Sequence, residues 1–563
     1  MTIATTTAVQ QEDTIQPVLR QVQEALRSLE GASNVQQPNR AALRQRAAAH
    51  GFQTQFGSYA FGSMVKSRSA GLTVYVGSDA VQLPQPSARQ QEILRQVPRT
   101  LELVHRYLRR APLIRVQRRI GTNATLSPLC TSYISIVRPE MVRIGCLWGE
   151  TLFDATSGVG PGQTVIYLPE WQEKDRQVLV FPEIHTAYVL GFDYIGEIKM
   201  GHLRQAMFTA KQQGLLGLHA GSKVLKARDA ATGKLQRIGM IIFGLTATGK
   251  TTHSCHDHGL TGDGEGIEIL QDDIVFFRPD GACLGTEQGF YLKTDGLRPD
   301  VQPAIYRAVT SPRALFENVL VDFQGQVDFA DETLTSNGRA IVQREDLGKA
   351  GASVDLPPVA ELDKLIVAFI TRRNTVVPIA AKLTHEQAAA IFMLGESVES
   401  SGGDPRRAGE SVREVGMNPF IIGDPTAEGN RFFELISRHP TKIECYLLNT
   451  GGVGELIERH SDGTKVVQQP VTRVQIPEMA AIIRNIARNS IRWEAEPLFG
   501  VQVPREVEGV TMDRFALQHF YSREQIIQLA EQLFRERVDF LQQFRGLDPR
   551  ISAAITQHPP RPS

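Results

Sequence analysis

The sequence predicts a mixed α/β protein, and two patterns along the chain carry that prediction. Apolar residues recur three and four positions apart, the spacing of an amphipathic helix, at 91–109, 203–213, 384–396 and 523–545. Between these helical segments lie short apolar runs of strand-like composition, at 72–76, 178–181, 186–190, 238–243, 267–270, 364–370 and 443–448. A chain of 563 residues is also long enough for about two to four domains.

The composition narrows the kinds of partner. The 61 Lys and Arg residues balance the 61 Asp and Glu residues, so no overall field favours nucleic acid or an anionic membrane. The N-terminus has no basic and apolar signal pattern, and no apolar run approaches the ~18 residues that span a bilayer. The five cysteines form no closely spaced pair, which favours reduced thiols. We expect a soluble cytoplasmic protein, a monomer or small homo-oligomer, that acts on small molecules.

The domain organisation follows from changes in composition. Residues 1–15, rich in Thr and Gln, and residues 551–563 are predicted to be frayed tails. The charged stretch 222–237 is typical of a surface hairpin or loop, which places a boundary near residue 215. This divides the chain into an N-terminal domain, 16–214, and a C-terminal domain, 215–550. A polar stretch at 400–409 is typical of a mobile loop and could be a lid or a connector.

The most informative motif is the loop GLTATGKTT, which follows the predicted strand 238–243. It fits the pattern GxxxxGK[ST], in which backbone N–H groups approach phosphate oxygens, the lysine reaches the outer phosphates and the hydroxyl after it can ligate the metal of the nucleotide. The strand before it favours this reading over a structural glycine-rich turn. The predicted nucleotide-binding residues are Gly244, Leu245, Thr246, Ala247, Thr248, Gly249, Lys250, Thr251 and Thr252.

A second candidate lies about twenty residues downstream, where the apolar run 267–270 ends in Gln271, Asp272 and Asp273. A nucleotide-binding sheet places the carboxylate that holds a divalent metal at the end of such a strand. Asp273 is therefore a predicted metal ligand. A turn or helix cap is the alternative for the Asp pair, and Asp263 and Glu265 in the preceding Gly-rich loop are rival ligands.

Two other clusters carry less weight. The segment 253–258, His-Ser-Cys-His-Asp-His, is superficially like a metal cluster, but it follows the phosphate loop where a helix should run, and its spacing fits no tetrahedral zinc site. The basic segment 105–119 interleaves arginines with apolar residues, which favours a solvated helix face over a nucleic-acid site.

Further segments resemble ATP-dependent phosphoenolpyruvate carboxykinase. Residues 194–201, YIGEIKMG, are similar to that family's Y-x-G-E-M-K-K-G, and His219 follows as the family's downstream histidine does. Shorter matches keep the family order: 67–69 with G-R-S-P, 137–139 with I-R-P, 290–294 with C-Y-A-K-T, 315–319 with L-x-E-N-V, 327–329 with I-D-F, 337–339 with N-T-R, then 369–384 and 449–451. The resemblance implies that family's fold, an N-terminal mixed α/β domain on the substrate side and a C-terminal phosphate-loop domain for nucleotide and metal.

The resemblance also implies a reaction, in which oxaloacetate and ATP become phosphoenolpyruvate, ADP and carbon dioxide, a carboxy-lyase step of gluconeogenesis. Such chemistry needs cations that orient a dicarboxylate, a metal, Mg²⁺ or Mn²⁺, that stabilises an enolate, and an in-line phosphate.

By the same resemblance, Arg68 and Arg339 contact substrate carboxylates, a task that suits bidentate guanidinium groups. Arg339 also belongs to the nucleotide side. The remaining implied assignments are Tyr194 and Lys199 as catalytic residues, Lys250 and Lys293 on the outer phosphate, and His219, Asp273 and Thr251 as metal ligands. The alternatives are surface ion pairs for the arginines, packing for Tyr194 and a core position for His219.

One departure from the family falls on a metal ligand. The second lysine of G-E-M-K-K-G is Met200 here, and a soft, uncharged thioether binds manganese or magnesium poorly. With a strand expected across this segment, Lys199 would face the side opposite Met200. The loop after Ser69 and the segment 262–266 also differ from the family. Two alternatives therefore stay open: a kinase of this fold that phosphorylates a different small molecule, and a weakened nucleotide-binding regulator.

Overall fold

The structure is a computed structural model that describes residues 2–155, 157–171, 176–245, 248–398, 410–459 and 465–560, with side chains from residue 15 to 458 and from 466 onward. Thr246 and Ala247 of the predicted phosphate loop, the stretch 400–409 and residues 561–563 of the predicted tail lie outside the described residues.

The helices, in chain order, are α1 (Thr2–Leu29), α2 (Arg40–Ala48), α3 (Ala88–Leu108), α4 (Val142–Gly149), α5 (Ile195–Gln212), α6 (Lys250–Cys255), α7 (Pro303–Val309), α8 (His385–Leu394), α9 (Pro425–Ser437), α10 (Ile476–Ala487), α11 (Arg523–Leu541) and α12 (Pro549–Thr556).

The strands, in chain order, are β1 (Val35–Gln36), β2 (Phe52–Gln53), β3 (Tyr59–Phe61), β4 (Thr73–Tyr75), β5 (Leu113–Arg119), β6 (Leu129–Ser135), β7 (Phe153–Asp154), β8 (Gln163–Leu168), β9 (Gln177–Phe181), β10 (Thr186–Leu190), β11 (Leu216–Arg228), β12 (Leu235–Gly244), β13 (Gly266–Gln271), β14 (Ile274–Phe277), β15 (Cys283–Gly285), β16 (Gly289–Lys293), β17 (Leu315–Glu317), β18 (Arg339–Gln343), β19 (Lys364–Thr371), β20 (Ala380–Leu383), β21 (Glu396–Val398), β22 (Ser411–Arg413), β23 (Ile443–Asn449), β24 (Gly452–Val453), β25 (Leu456–Arg459), β26 (Lys465–Gln469), β27 (Thr472–Arg473), β28 (Arg492–Glu496) and β29 (Val501–Glu506).

The mixed α/β prediction is confirmed. The predicted strand-like runs coincide with β4, β9, β10, β12, β13, β19 and β23, and the predicted helical segments with α3, α5, α8 and α11. Among the described residues, no helix combines the length and the hydropathy that a membrane span requires.

Several segments differ from their prediction. In the basic segment 105–119, predicted as a solvated helix face, residues 113–119 form the strand β5, and Arg118 is buried there. The strand expected across Lys199 and Met200 is wrong, because α5 begins at Ile195, and its Glu, Lys, Met and Gln residues are good helix formers. Residues 2–15, predicted as a frayed tail, lie in α1, whose later residues pack on the core, so the helix propagates from a stable segment. The C-terminal tail predicted from 551 overlaps α12, where Ile551 is fully buried.

The chain divides into two compact units. Unit 1 consists of Met1–Gln213, Thr286–Asp346 and Phe420–Asp424, and unit 2 of Gly214–Gly285, Leu347–Pro419 and Pro425–Ser563. The first change of unit lies next to the boundary predicted near residue 215. The segments 286–346 and 420–424 return to unit 1, because strands such as β17 complete a sheet begun by β3.

Unit 1 contains two sheets. The first has the strand order β1-β5-β6-β8-β10-β9-β4, with β7 beside β5, and α1 and α3 cover its apolar face. The second has the order β16-β18-β17-β3-β2. This second sheet brings together the motifs at 290–294, 315–319 and 337–339, which are remote from one another in sequence.

Unit 2 is built on a large sheet of order β15-β14-β11-β12-β19-β23-β20-β29-β28, with β13 also paired to β11. Its central strands β12, β19 and β23 run parallel and are almost wholly buried, as expected for parallel strands covered on both faces. The carboxyl end of β12 is followed directly by the predicted phosphate loop, and this end of the strands is the usual place for a ligand in such a sheet.

Candidate active site

In unit 2, the described residues Leu245, Thr248 and Gly249 of the predicted phosphate loop lie between β12 and α6. Thr248 donates from its backbone N–H and its hydroxyl to the carbonyl of Leu245, at 3.2 and 2.8 Å. Gly249 then caps α6 with a φ of 100°, a left-handed conformation that favours glycine. The hydroxyl of Thr450, which is also in unit 2, donates to the Thr248 carbonyl at 2.7 Å. The loop thus delivers Lys250 and Thr251 at the first turn of α6, with Thr252 following.

Three predicted residues converge beside this loop. The Lys250 Nζ lies 3.1 Å from the Asp273 Oδ1, and the His219 Nε2 lies 3.1 Å from the same oxygen. His219 comes from β11, whose partner in register at that position is Ile274, the residue after Asp273. The pairing of β11 with β14 therefore brings the imidazole to the carboxylate. Asp273 follows β13, where the strand-end prediction placed it.

The contacts of His219 define its chemical state. Its Nδ1 lies 2.6 Å from the backbone carbonyl of Met417, so that nitrogen carries the proton and donates it. Burial, together with the Lys250 ammonium, lowers the pKa of His219, so the ring is neutral at pH 7. The Nε2 lone pair then faces a carboxylate oxygen of Asp273. The His219 Nε2 and the Asp273 carboxylate oxygen together form a donor set that suits a divalent cation. The Met417 carbonyl orients the imidazole for this role.

The rival ligands lie elsewhere in unit 2. Glu265 pairs with Arg488, whose Nη2 lies 2.6 Å from its Oε2, and the Asp263 side chain is fully exposed. Among the described residues, no group of three or more His, Cys, Asp or Glu side chains has the arrangement of a metal site. His219 and Asp273 are therefore a candidate metal site of two residues. Thr251, the third predicted ligand, follows Lys250 in the first turn of α6.

In unit 1, the candidate substrate residues gather around Tyr291. The Arg339 guanidinium lies 5.2 Å from the centre of the Tyr291 ring, and the Lys199 Nζ lies 5.7 Å from it. The Tyr194 ring is 6.5 Å from the Tyr291 ring between centroids. The structure thus brings together three predicted residues on a ring that sequence reasoning did not single out, although it falls inside the quoted motif 290–294.

Arg339 and Tyr194 are also joined by a hydrogen-bonded amide. The Arg339 Nε and Nη2 both donate to the Asn337 Oδ1, at 3.1 and 2.8 Å. The Asn337 Nδ2 donates to the Tyr194 hydroxyl at 3.2 Å and to the Lys66 carbonyl at 2.7 Å. Asn337 therefore orients the guanidinium. Its place in the N-G-R motif was the only sequence signal for it.

Lys199 and Met200 both lie in the buried part of α5. The Lys199 Nζ is 3.2 Å from the Glu287 Oε2, and both side chains are 3% exposed. Met200 is also 3% exposed. Successive residues on a helix point about 100° apart. The two side chains therefore do not face opposite sides, as the expected strand would have required.

The buried Glu317 side chain holds the Tyr291 ring through its hydroxyl group. The Tyr291 hydroxyl donates to the Glu317 Oε2 at 2.9 Å, and the backbone N–H of Ile195 donates to its Oε1 at 3.1 Å. The Arg143 Nη1 lies 3.4 Å from Glu317, while its Nη2 pairs with Asp193 at 3.1 Å. Burial raises the pKa of Glu317 to about 7. Burial also raises the pKa of Tyr291, so its hydroxyl stays protonated and donating.

The remaining predicted residues occupy separate places in unit 1. Lys293 is the register partner of Arg339 across β16 and β18, which puts both side chains on one face of the sheet, and its Nζ pairs with Asp295 at 2.8 Å. Arg68 is exposed and stacks on Phe420, with its guanidinium 4.4 Å from the ring centre.

Comparison with known proteins adds an independent finding. A family model described as phosphoenolpyruvate carboxykinase matches residues 158–513. A protein of Aeropyrum pernix named phosphoenolpyruvate carboxykinase (ATP) is 33% identical over 371 residues, which are 65% of this chain and 69% of that protein. A protein of the same name from Afipia carboxidovorans is 30% identical over 327 residues, 57% of this chain and 55% of that protein. One from Bradyrhizobium diazoefficiens is 25% identical over 411 residues, 71% of this chain and 68% of that protein. The matched part thus spans between about half and two thirds of these relatives.

Proposed function

This chain belongs to the phosphoenolpyruvate carboxykinase family, and from that premise we propose that it converts oxaloacetate and ATP into phosphoenolpyruvate, ADP and carbon dioxide. The observation that carries the proposal is the buried group of Lys250, Asp273 and His219 beside a phosphate loop in unit 2. It combines a cation for phosphate with a neutral nitrogen and a carboxylate for a divalent metal.

On the nucleotide side, the residues of the loop bind and orient the phosphates of ATP. Backbone N–H groups at 244–252 contact phosphate oxygens, and the Thr251 hydroxyl is placed for the metal that accompanies the nucleotide. The Lys250 ammonium, whose side chain is only 9% exposed, balances the negative charge on the phosphoryl group as it moves. Burial strengthens that interaction because little water screens it.

His219 and Asp273 would hold a divalent cation, and Mn²⁺ or Mg²⁺ fits a donor set of one nitrogen and one carboxylate oxygen. Bound there, it would supply Lewis acidity toward an oxygen that gains negative charge. The chain's own part is to keep the His219 Nε2 unprotonated, which the Met417 carbonyl achieves by holding the proton on Nδ1.

On the substrate side, the cations of unit 1 hold a dicarboxylate. Arg339, oriented by Asn337 and stacked on Tyr291, presents N–H groups for bidentate contact with a carboxylate. Loss of carbon dioxide from oxaloacetate leaves an enolate, whose oxygen then accepts the phosphoryl group of ATP. Arg68 and Lys199 add positive charge that favours the enolate, which carries one more negative charge than the corresponding keto acid, and Lys293 serves the outer phosphate as the resemblance implies.

The residue at position 200 is expected to weaken metal binding. The family resemblance assigns a metal-ligating lysine there, whereas Met200 offers an uncharged thioether, a poor ligand for Mn²⁺. The buried Lys199 next to it is committed to Glu287 and is not a substitute in kind. We therefore propose an active carboxykinase with a raised requirement for metal.

The test is to supply oxaloacetate, ATP and Mn²⁺ and to follow phosphoenolpyruvate in the wild type, Met200→Lys and the matched control Met200→Leu. We expect turnover by the wild type and the Leu variant, and about a tenfold lower half-saturating Mn²⁺ concentration for the Lys variant. If the wild type forms no phosphoenolpyruvate while the Lys variant does, the carboxykinase activity has been lost through the substitution at this position. ATP hydrolysis without phosphoenolpyruvate in all three proteins would exclude the carboxykinase reaction and point to another acceptor.

The ring of Tyr291 yields a second expected result. In Tyr291→Leu, Arg339 and Lys199 lose the aromatic face on which they rest, so the KM for oxaloacetate should rise about tenfold, while the KM for ATP changes less than twofold. Tyr291→Phe is the control, because it keeps the ring and removes only the hydrogen bond to Glu317. Equal KM values for the Leu and Phe variants in steady-state assays would contradict the platform role.

A further inference from the structure

The helix of the phosphate loop rests on one row of residues of β11. His219, Gly221 and Lys223 alternate along this strand, so their side-chain positions lie on one face. A Cβ atom at Gly221 would overlap the Ser254 Oγ of α6 and would lie 3.1 Å from the Gln271 carbonyl oxygen. The absence of a side chain at Gly221 therefore lets α6 sit directly against the strand, between His219 at one end of the row and Lys223 at the other.

Lys223 is bonded to the far end of that helix. Its Nζ, fully buried, donates to the carbonyl oxygens of His253, in the last turn of α6, and His256, just after it, the latter at 3.0 Å. The third contact of the Nζ is the His258 Nε2. The Lys223 amine thus contacts two carbonyl oxygens and one ring nitrogen, and each of its three remaining bonding directions has a partner.

Burial lowers the pKa of Lys223 to about 7. Both charge states keep the three contacts, because a neutral amine donates to the two carbonyl oxygens and its lone pair accepts from the Nε2–H tautomer of His258. Burial also lowers the pKa of His258, so its ring is neutral and can accept. The last carbonyls of a helix have no partner within it, and a cation there is favourable. The histidine-rich segment 253–258, which is superficially like a metal cluster, supplies these acceptors instead.

We propose that Lys223 is a positioning residue for the nucleotide, which fixes the carboxyl end of α6 to β11, while the ion pair of Lys250 with Asp273 holds the amino end. The inference rests on the proposed nucleotide site at 244–252. Gly221 lets the helix pack directly on β11 between these two attachments, so α6 is held at both ends.

The length of α6 explains why such an attachment matters. It has six residues, and isolated helices shorter than about 12 residues are marginal in water. Its first turn carries the residues that must meet the phosphates. An error of about 1 Å in the placement of such groups can lower rates about 100-fold. A helix released at its carboxyl end would therefore misplace Lys250 and Thr251 without any change in the residues that contact ATP.

The test is calorimetric binding of Mg-ADP to the full chain in the wild type and Lys223→Met, with steady-state KM values for both substrates. We expect Lys223→Met to weaken ADP binding about 10-fold to 100-fold and to leave the KM for oxaloacetate within twofold. The control is Lys226→Met on the same strand, where the lysine is part-exposed and pairs with Glu268 at 2.7 Å, and which should bind ADP as the wild type does. Lys223→Gln, which keeps a donor without the charge, should lie between.

The other outcomes separate this inference from its premise. If Lys223→Met unfolds at a lower temperature but binds ADP as the wild type does, the lysine is merely structural and the inference is overturned. If Lys223→Met does not fold, Lys223→Gln and Gly221→Ala decide, because each should weaken ADP binding at least several-fold. A wild type that forms no phosphoenolpyruvate but binds ADP refutes only the proposed reaction, and a wild type that binds no ADP refutes both.

Discussion

Replacing Lys250 with methionine should abolish detectable phosphoenolpyruvate formation, with kcat lowered about 1000-fold or more. The methionine keeps the length of the side chain and removes the ammonium, which lies 3.1 Å from Asp273 in a site that water barely reaches. The charge that builds on the phosphoryl group in the transition state then lacks its nearest protein cation. Because the backbone of the loop still contacts the phosphates, we expect ADP binding to weaken far less, about tenfold, so the loss falls mainly on kcat.

The matched control is Lys234→Met, just before β12. That lysine is largely exposed and pairs with Asp363 at 2.8 Å, so its loss should change kcat less than twofold. Quenched-flow or coupled assays of phosphoenolpyruvate, together with ADP calorimetry, give both quantities. A Lys250→Met enzyme that keeps more than a tenth of wild-type kcat would show that another cation performs this task.

How much of this site the sequence could predict depends on how local each feature is. The order of strand, loop and helix at 238–255 and the position of Asp273 after β13 were predictable, because each is defined by a strand and the few residues after it. The gathering of Lys199, Arg339 and Tyr194 on Tyr291 was not, because it depends on the register of β16 with β18 and on α5. The three contacts of Lys223 could not be predicted for the same reason, since two of them are with backbone atoms that no side-chain pattern reveals.

The segment 194–201 shows where a local reading fails. A motif match singled out Tyr194, Lys199 and Met200, but it carried no information about backbone conformation. Where a strand was expected, the helix α5 begins at Ile195. The difference changes the chemistry at position 200. On a helix, Met200 and Lys199 share a buried side of unit 1, so the Met200→Lys substitution would place a second amine in the buried part of α5 that already holds the pair of Lys199 and Glu287.

A further charged cluster among the described residues of unit 2 is centred on Glu396. This fully buried carboxylate receives the Arg373 Nη2 at 3.3 Å, the Arg413 Nη1 at 2.9 Å and the Arg537 Nε at 3.1 Å. Arg373 follows two residues after the end of β19, Glu396 and Arg413 lie in β21 and β22, and Arg537 lies in α11. β19 pairs with β12, the strand that precedes the predicted phosphate loop. Through Arg373 and Arg537, the Glu396 carboxylate therefore connects the end of β19 to α11.

Glu396→Gln should therefore lower the free energy of unfolding by about 3 to 5 kcal/mol, because three buried guanidinium groups would lose their counter-charge. Burial alone would raise the pKa of Glu396, but the arginines outweigh it and hold that pKa well below its ordinary range. A carboxylate with a lowered folded-state pKa stabilises the protein at neutral pH, and this stabilisation is lost as the pH falls below about 4. Guanidinium unfolding followed from pH 7 to pH 3 should show a shallower loss for the variant than for the wild type. Glu536→Gln, which removes only the part-exposed partner of Arg413 at 3.3 Å, should cost less than about 1 kcal/mol, and equal costs for the two variants would contradict the central role of Glu396.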